Sequence, residues 1–285
     1  AERCVLILRL AGLFEEKLQD VGEAYYWYKE ALKLAPDDVI ALQGARRTAA
    51  RLDDFEGLAS FDERLLGSAG AQEKVEIEQE LVYLYINQLN RKEDGFVHLQ
   101  SLLQERPVPT DIQELAFSMI ADPEIGFAVS IALEPLLEET VDFERLASLY
   151  EVQLASVEAP EDKVPVALKA ADLLTEALGD SHRAFELLGG LLEAVPGNGA
   201  LLDRLYELAL ATGDVEGFLH RLQDATQNTS SPAEMANLSL RIARLYEESL
   251  DDVDSAALWY LRVVQVEPGN QAGISGLEAL YQRTN

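Results

Sequence analysis

The side chains able to do chemistry are few and scattered. Three histidines, His98, His182 and His220, lie 84 and 38 residues apart. None has a cysteine or a paired carboxylate motif near it at the spacing a zinc site needs. The single cysteine, Cys4, has no internal disulfide partner, which fits a reducing compartment and a cytoplasmic protein. Gly189-Gly190 falls inside a helical run, where the pair permits close helix contact, and Gly197-Asn198-Gly199 reads as a turn. Neither is a loop that cradles phosphate. Asp251-Asp252-Val253-Asp254 lacks the glycine and the distal glutamate of a calcium loop. Asn228-Thr229-Ser230 and Asn237-Leu238-Ser239 fit a glycosylation tripeptide, but no secretory feature accompanies them. Carboxylates are so abundant that pairs meet by chance, and none stands out as an acid–base couple. The expectation is a protein that is not an enzyme and carries no catalytic, cofactor or metal-binding residues.

What remains is chemistry of contact. Arg9, Lys169 and Arg241 occupy one recurring register, which Glu80 takes once. Recurrent cations in so acidic a chain would meet carboxylates of a ligand, or else pair with neighbouring Glu and Asp. Tyr25, Tyr26, Trp27 and Tyr28 are consecutive, so on a helix they point to all sides and some face outward unless another element covers them. Trp27 and Trp259 suit packing between repeats, whereas an exposed Tyr25 or Tyr26 would anchor a partner. The candidate partner-binding residues are therefore Arg9, Lys169, Arg241, Tyr25 and Tyr26.

Charge narrows the class of partner. Lys and Arg number 23 against 51 Asp and Glu, a net −28. Such a surface repels phosphate backbones and anionic headgroups, so neither nucleic acid nor membrane is expected. A basic protein patch is its complement, although acidity also serves solubility. The charge is concentrated at −13 in residues 54–141, against −1 in 1–53, −8 in 142–213 and −6 in 214–285. No apolar run approaches the roughly 20 residues of a membrane span. Apolar residues at 48% exclude disorder.

The elements that must position these residues emerge from an internal period. Pro36, Pro107, Pro196 and Pro268 are spaced by 71, 89 and 72 residues. Twelve residues before each stands a small residue, Ala24, Gly95, Ala184 and Ala256. Four residues after that stands a large one, Tyr28, Leu99, Leu188 and Tyr260, on the same helix face. Residues 9–20 align without a gap on residues 241–252, and Trp27-Tyr28 on Trp259-Tyr260. A second landmark interleaves: Asp54, Asp142 and Asp214 each open a helix as N-cap, with a Glu two residues on at its positive end. Ser231-Pro232-Ala233-Glu234 carries an N-cap, a first-turn proline and a capping-box glutamate. Apolar spacing between breakers is helical, as at Leu238, Ile242, Leu245 and Tyr246, and no segment alternates as a strand would.

These residues resemble the tetratricopeptide repeat, in which a large residue, Leu-Gly and an aromatic on the first helix precede Ala, a large residue and Pro on the second. Leu8, Ala11, Gly12, Ala24, Tyr28 and Pro36 supply the pattern first. Leu240, Ala243, Ala256, Tyr260 and Pro268 supply it last. The first-helix aromatic is displaced by one residue, to Phe14 and Tyr246, with Glu15 and Glu247 in its place. The middle copies keep only the second-helix half.

The resemblance implies an all-α, right-handed superhelical solenoid of antiparallel helix pairs, about 16 helices in all. It implies a protein-interaction scaffold or adaptor that organises a multiprotein assembly, its partner a peptide or helix lying in the concave groove. The family's carboxylate clamp needs an Asn one turn after the basic residue, where Leu13, Leu173 and Leu245 stand. The texture also resembles very long arrays that serve bacterial motility machinery. The alternatives are a regulatory or substrate-docking domain of a larger enzyme and an RNA-processing scaffold, the latter disfavoured by the charge.

Two irregularities complete the sequence reading. Pro107 to Asp142 spans 35 residues, where Pro36 to Asp54 and Pro196 to Asp214 span 18. The excess suffices for one more helix, serving as a spacer or as a specialised groove. Pro135, inside that stretch, should kink or split its helix. Residues 1–285 read as one continuous array of segments 1–53, 54–141, 142–213 and 214–285. Asn285 aligns with Asp53, so the array reads as a piece of a longer one whose open ends would favour end-to-end self-association.

Overall fold

Helices begin where the sequence offers an oxygen to the orphan N–H groups of a first turn. Asp20, Asp38, Asp54, Asp142, Asp180, Asn198, Asp214, Ser231 and Asp252 each accept from the backbone N–H three residues on, at 2.9 to 3.4 Å. The structure is a computed structural model that describes residues 2–284. Ala1 and Asn285, which bear on the expected open ends, lie outside the described residues.

Sixteen α-helices and no strand are found among those residues. They divide into two compact units, residues 1–136 and 137–285. The first unit holds α1 (Glu2–Leu13), α2 (Val21–Leu34), α3 (Val39–Arg51), α4 (Phe55–Leu66), α5 (Ala71–Tyr83), α6 (Lys92–Gln104) and α7 (Thr110–Met119). The division falls within α8 (Gly126–Thr140). The second unit holds α9 (Phe143–Ser156), α10 (Pro160–Asp172), α11 (Ser181–Leu192), α12 (Gly199–Thr212), α13 (Val215–Asn228), α14 (Pro232–Glu248), α15 (Val253–Val266) and α16 (Gln271–Thr284). Within each unit consecutive helices pack on each other, α1 through α7 in the first and α9 through α16 in the second, as antiparallel hairpins do.

The displaced aromatic has a backbone cause. The helices α1, α5 and α10 each run into a π-helical turn, Phe14–Leu18, Leu84–Gln88 and Leu173–Ala177. At the end of α14, the N–H of Asp252 bonds the carbonyl of Tyr246 at 2.8 Å, the counterpart of the Asp180 to Leu174 bond at 2.7 Å. A π turn accommodates one residue more than an α turn, which moves the aromatic by one position. Each of the four helices is then closed by a left-handed residue, Gln19, Asn90, Gly179 or Asp251, with φ of 52°, 52°, 68° and 50°. A second left-handed set, Asp53, Val141 and Gly213, precedes the three landmark Asp residues.

Glu15 and Glu247 have a structural task at the position they took over. The Tyr28 hydroxyl donates to Glu15 at 2.7 Å and the Tyr260 hydroxyl to Glu247 at 2.8 Å. Arg47 and Arg283 pair with the same two carboxylates. Burial first, and then the bond to Glu15, pushes the Tyr28 phenol up to about 12. Each ring lies flat against a glycine of the third helix: a Cβ on Gly44 or Gly276 would meet it at 2.3 or 2.4 Å.

One expectation is narrowed and another needs correction. Of the kink or split expected at Pro135, the split does not occur: the helix runs unbroken from Gly126 to Thr140. Pro135 and Ile131, whose carbonyl faces the proline without an N–H, both lie on the exposed face, so the helix can continue without burying that carbonyl. The capping box at Ser231 is relayed: its N–H donates to the Thr229 hydroxyl at 3.2 Å, and that hydroxyl donates to Glu234 at 2.6 Å. The long Pro107 to Asp142 stretch holds α7 and α8. At the 88-residue offset α8 falls on α3, so α7 is the added helix.

Candidate partner-binding site

The recurring basic register lies on α1, α10 and α14. In the second unit it lines two clefts. Lys169 borders one of about 520 Å³ with Leu146, Asp172, Leu173 and Glu176. Arg241 borders one of about 230 Å³ with Tyr206, Phe218, Arg244, Leu245 and Glu248. At the 72-residue offset Leu146, Lys169, Asp172, Leu173 and Glu176 fall on Phe218, Arg241, Arg244, Leu245 and Glu248. The two clefts are thus one place in successive repeats: an apolar floor, a cation above it and a carboxylate, Glu176 or Glu248, one turn beyond the floor, with Asp172 exchanged for Arg244 between them. Arg241 pairs with Asp203 at 2.7 Å while its Nε is buried without a partner. Lys169 and Arg244 are exposed.

In the first unit that register is arranged differently. Arg9 is exposed on α1. Glu80, on α5, pairs with Arg46 of α3, and Arg46 also holds Asp62 of α4. The Asp62 side chain is 0% exposed, and apart from Arg46 neither of its oxygens has a hydrogen-bond partner. Burial pushes its carboxyl up to about 7, against the opposing pull of Arg46 and with a further push from Glu80. Arg46 and Asp62 stand at the positions of Tyr206 and Leu222. The charge reversal at Glu80 therefore has a cause: it faces a half-buried arginine that already pairs with the buried Asp62.

The two tyrosines part company. Tyr26 is 53% exposed and meets Trp27 edge-on, ring centroids 5.2 Å apart. Tyr25 is half-buried, set edge-on to Phe61, and its hydroxyl donates to Asp54, the N-cap of α4. Burial and that bond raise its pKa. Tyr25 thus ties the cap of α4 to α2.

The histidines are placed on α6, α11 and α13. His98 is buried, stacks on Tyr85 at 5.8 Å and lies 3.1 Å from Glu63, which also accepts the Tyr85 hydroxyl at 3.1 Å. Gly189 makes room for the Arg221 guanidinium, which a Cβ would meet at 2.6 Å, so it serves a side chain and not a helix backbone. No group of three or more His, Cys, Asp or Glu able to hold a metal occurs among the described residues. No described helix is long and apolar enough to cross a membrane. Sequence reading missed the Arg46–Asp62–Glu80 cluster. Its one signal was an acid, Asp62, on the apolar stripe of Leu58, Phe61 and Leu65.

Neither a protein-family model nor a curated protein matches the chain. Among solved structures it is similar to a tetratricopeptide repeat protein from Parabacteroides merdae, at 14% identity over 99% of this chain and 100% of that one, with a TM-score of 0.31. It is similar to YrrB, described as a tetratricopeptide protein with an unusual peptide-binding site, at 9% identity, 88% and 97% coverage and a TM-score of 0.31. A third is the C-terminal part of a tetratricopeptide-repeat protein from Cytophaga hutchinsonii, at 12%, 95% and 99%, with a TM-score of 0.35. Scores this low carry no argument by themselves. The paired helices, and their recurrence at fixed offsets within this chain, carry the architecture.

Proposed function

We propose that the chain is a protein-interaction scaffold whose second unit holds a peptide or helix of its partner along Lys169 and Arg241, with Arg9 and Tyr26 as separate contact residues of the first unit. The supporting observation is the recurrence of one cleft in successive repeats: Leu146 and Leu173 beside Lys169, then Phe218 and Leu245 beside Arg241. A repeated apolar step beside a repeated cation suits an extended ligand that places one side chain in each step. Arg241 spans its cleft and the Asp203 carboxylate, so a ligand carboxylate would compete with Asp203 for it.

Panning a random peptide library on the full chain tests this reading. The expected result is a set of enriched peptides whose affinity falls about tenfold with Arg241→Glu and with Lys169→Glu, as loss of a charge-assisted bond implies. Enriched peptides indifferent to both substitutions, or no enrichment at all, would overturn it.

A further inference from the structure

A third cleft of the second unit, of about 240 Å³, opens among α9, α10 and α11. Its walls are Ala147, Tyr150 and Leu154 from α9, Ala170 from α10, Leu174 from the π turn after it, and Leu187 from α11, with Glu151 and Arg183 at its mouth. The repeat offsets show what is missing. In segment 54–141 the same register holds a hydrogen-bonded aromatic pair. Glu63 accepts the Tyr85 hydroxyl at 3.1 Å, and His98 stacks on that ring while also reaching Glu63. In segment 214–285 it holds Gln223, whose amide donates to the Tyr246 hydroxyl at 3.3 Å, with Trp259 packed in the same cluster.

Glu63, Glu151 and Gln223 are one position, Tyr85, Leu174 and Tyr246 a second, His98, Leu187 and Trp259 a third. Segment 142–213 keeps the polar group and lacks both rings. It is also smaller elsewhere: Ala170 stands where Leu81 and Ile242 stand, and Ala147, like Ala59 of segment 54–141, stands where segment 214–285 has Leu219.

We infer that this cleft receives an aromatic side chain with a hydrogen-bond donor, a tyrosine or tryptophan presented by a partner protein on a basic segment. The ring would take the volume that Tyr85 with His98, or Tyr246 with Trp259, fill from within the chain. Its hydroxyl or indole N–H would meet Glu151, as Tyr85 meets Glu63. Arg183, now paired with Glu151, stands where a guanidinium can cover a ring face. The basic flank follows from charge: residues 142–213 are net −8, and Glu151 and Glu186 lie beside the mouth. Tyr150 apart, the cleft shares no lining residue with those beside Lys169 and Arg241, so it stands or falls without them.

The test uses the full chain and three synthetic peptides of one lysine-flanked sequence, carrying Trp, Tyr or Leu at the centre, titrated calorimetrically. The Trp and Tyr peptides should bind at least tenfold more tightly than the Leu peptide. Leu187→Trp and, separately, Ala147→Leu install residues that segment 214–285 already uses. Each should raise the melting temperature and weaken the Trp peptide at least tenfold. Glu151→Gln should retain binding better than Glu151→Ala, since Gln223 serves the same position. Equal binding of all three peptides would sink the inference, as would full affinity in whichever cleft-filling variant remains folded. Arg241→Glu should leave these titrations unchanged, which separates this site from the function proposed above.

Discussion

Helices α3, α4 and α5 of the first unit stand at the same register as α12, α13 and α14 of the second, yet one set locks its groove position and the other leaves it open. In the first set Arg46, Asp62 and Glu80 meet, and in the second the same positions hold Tyr206, Leu222 and Arg241. The backbone template is indifferent to which set it carries. Three side chains decide whether a repeat presents a cleft or an internal ion cluster. The cluster costs stability because the Asp62 carboxylate leaves water entirely for its contact with Arg46. The cleft leaves part of an apolar floor wet. A repeat array can thus vary its surface step by step without altering how its helices pair.

The largest effect expected from breaking this comparison is at Arg46. Arg46→Met strands the buried Asp62 carboxylate and should cost about 3–5 kcal/mol at pH 8. At pH 5 the loss should be smaller, because Asp62 can then take up a proton. Thermal unfolding of the first unit within the full chain, at both pH values, checks it, and equal losses at the two would refute the assignment. Next is the exchange of sets. Arg46→Tyr with Asp62→Leu and Glu80→Arg should be neutral or stabilising by up to about 4 kcal/mol, since apolar replacement of a buried ion cluster removes its desolvation cost.

The pH dependence of the unmodified chain should be gentler. Asp62 is raised from its ordinary 3.8 to about 7, so the native state holds a proton that the unfolded chain has released. The stability it contributes is complete below about 4 and is lost as pH rises towards about 7. Asp62→Asn should flatten this slope. An unaltered slope would place the titrating group elsewhere, with Glu80 and Glu63, the other carboxylates acting on Asp62, as the next to change. Smallest is the left-handed turn before each landmark Asp. Val141, β-branched at φ 59°, occupies the position that Gly213 fills at 75°. Val141→Gly should stabilise by about 1 kcal/mol, and an unchanged or lower melting temperature would show that the strain is relieved elsewhere.

The helices and their caps were legible because they depend on neighbours in sequence. An Asp three residues before a free N–H, a proline past a last turn and a stripe at spacings of three and four act locally. The Tyr28 and Tyr260 positions were legible through the period alone. The π turns were half legible: the displaced aromatic recorded the extra residue, and only the backbone path explained it. Tyr25 and Tyr26 looked alike in sequence, since adjacent residues on a helix differ by a rotation that says nothing about which side another helix covers. Asp62 looked like one more acid among 51.

By itself the sequence determined that this chain makes paired helices, where those opened by Asp54, Asp142, Asp214 and Ser231 start, and which positions repeat, because periodicity and capping are encoded within a few turns of chain. Tertiary structure alone decided which polar residues face one another across helices: Arg46 with Asp62, Tyr28 with Glu15, Arg183 with Glu151. Those meetings join residues from 13 to 32 positions apart and depend on ångström-scale packing between helix faces, to which a linear pattern of apolar and polar letters is blind.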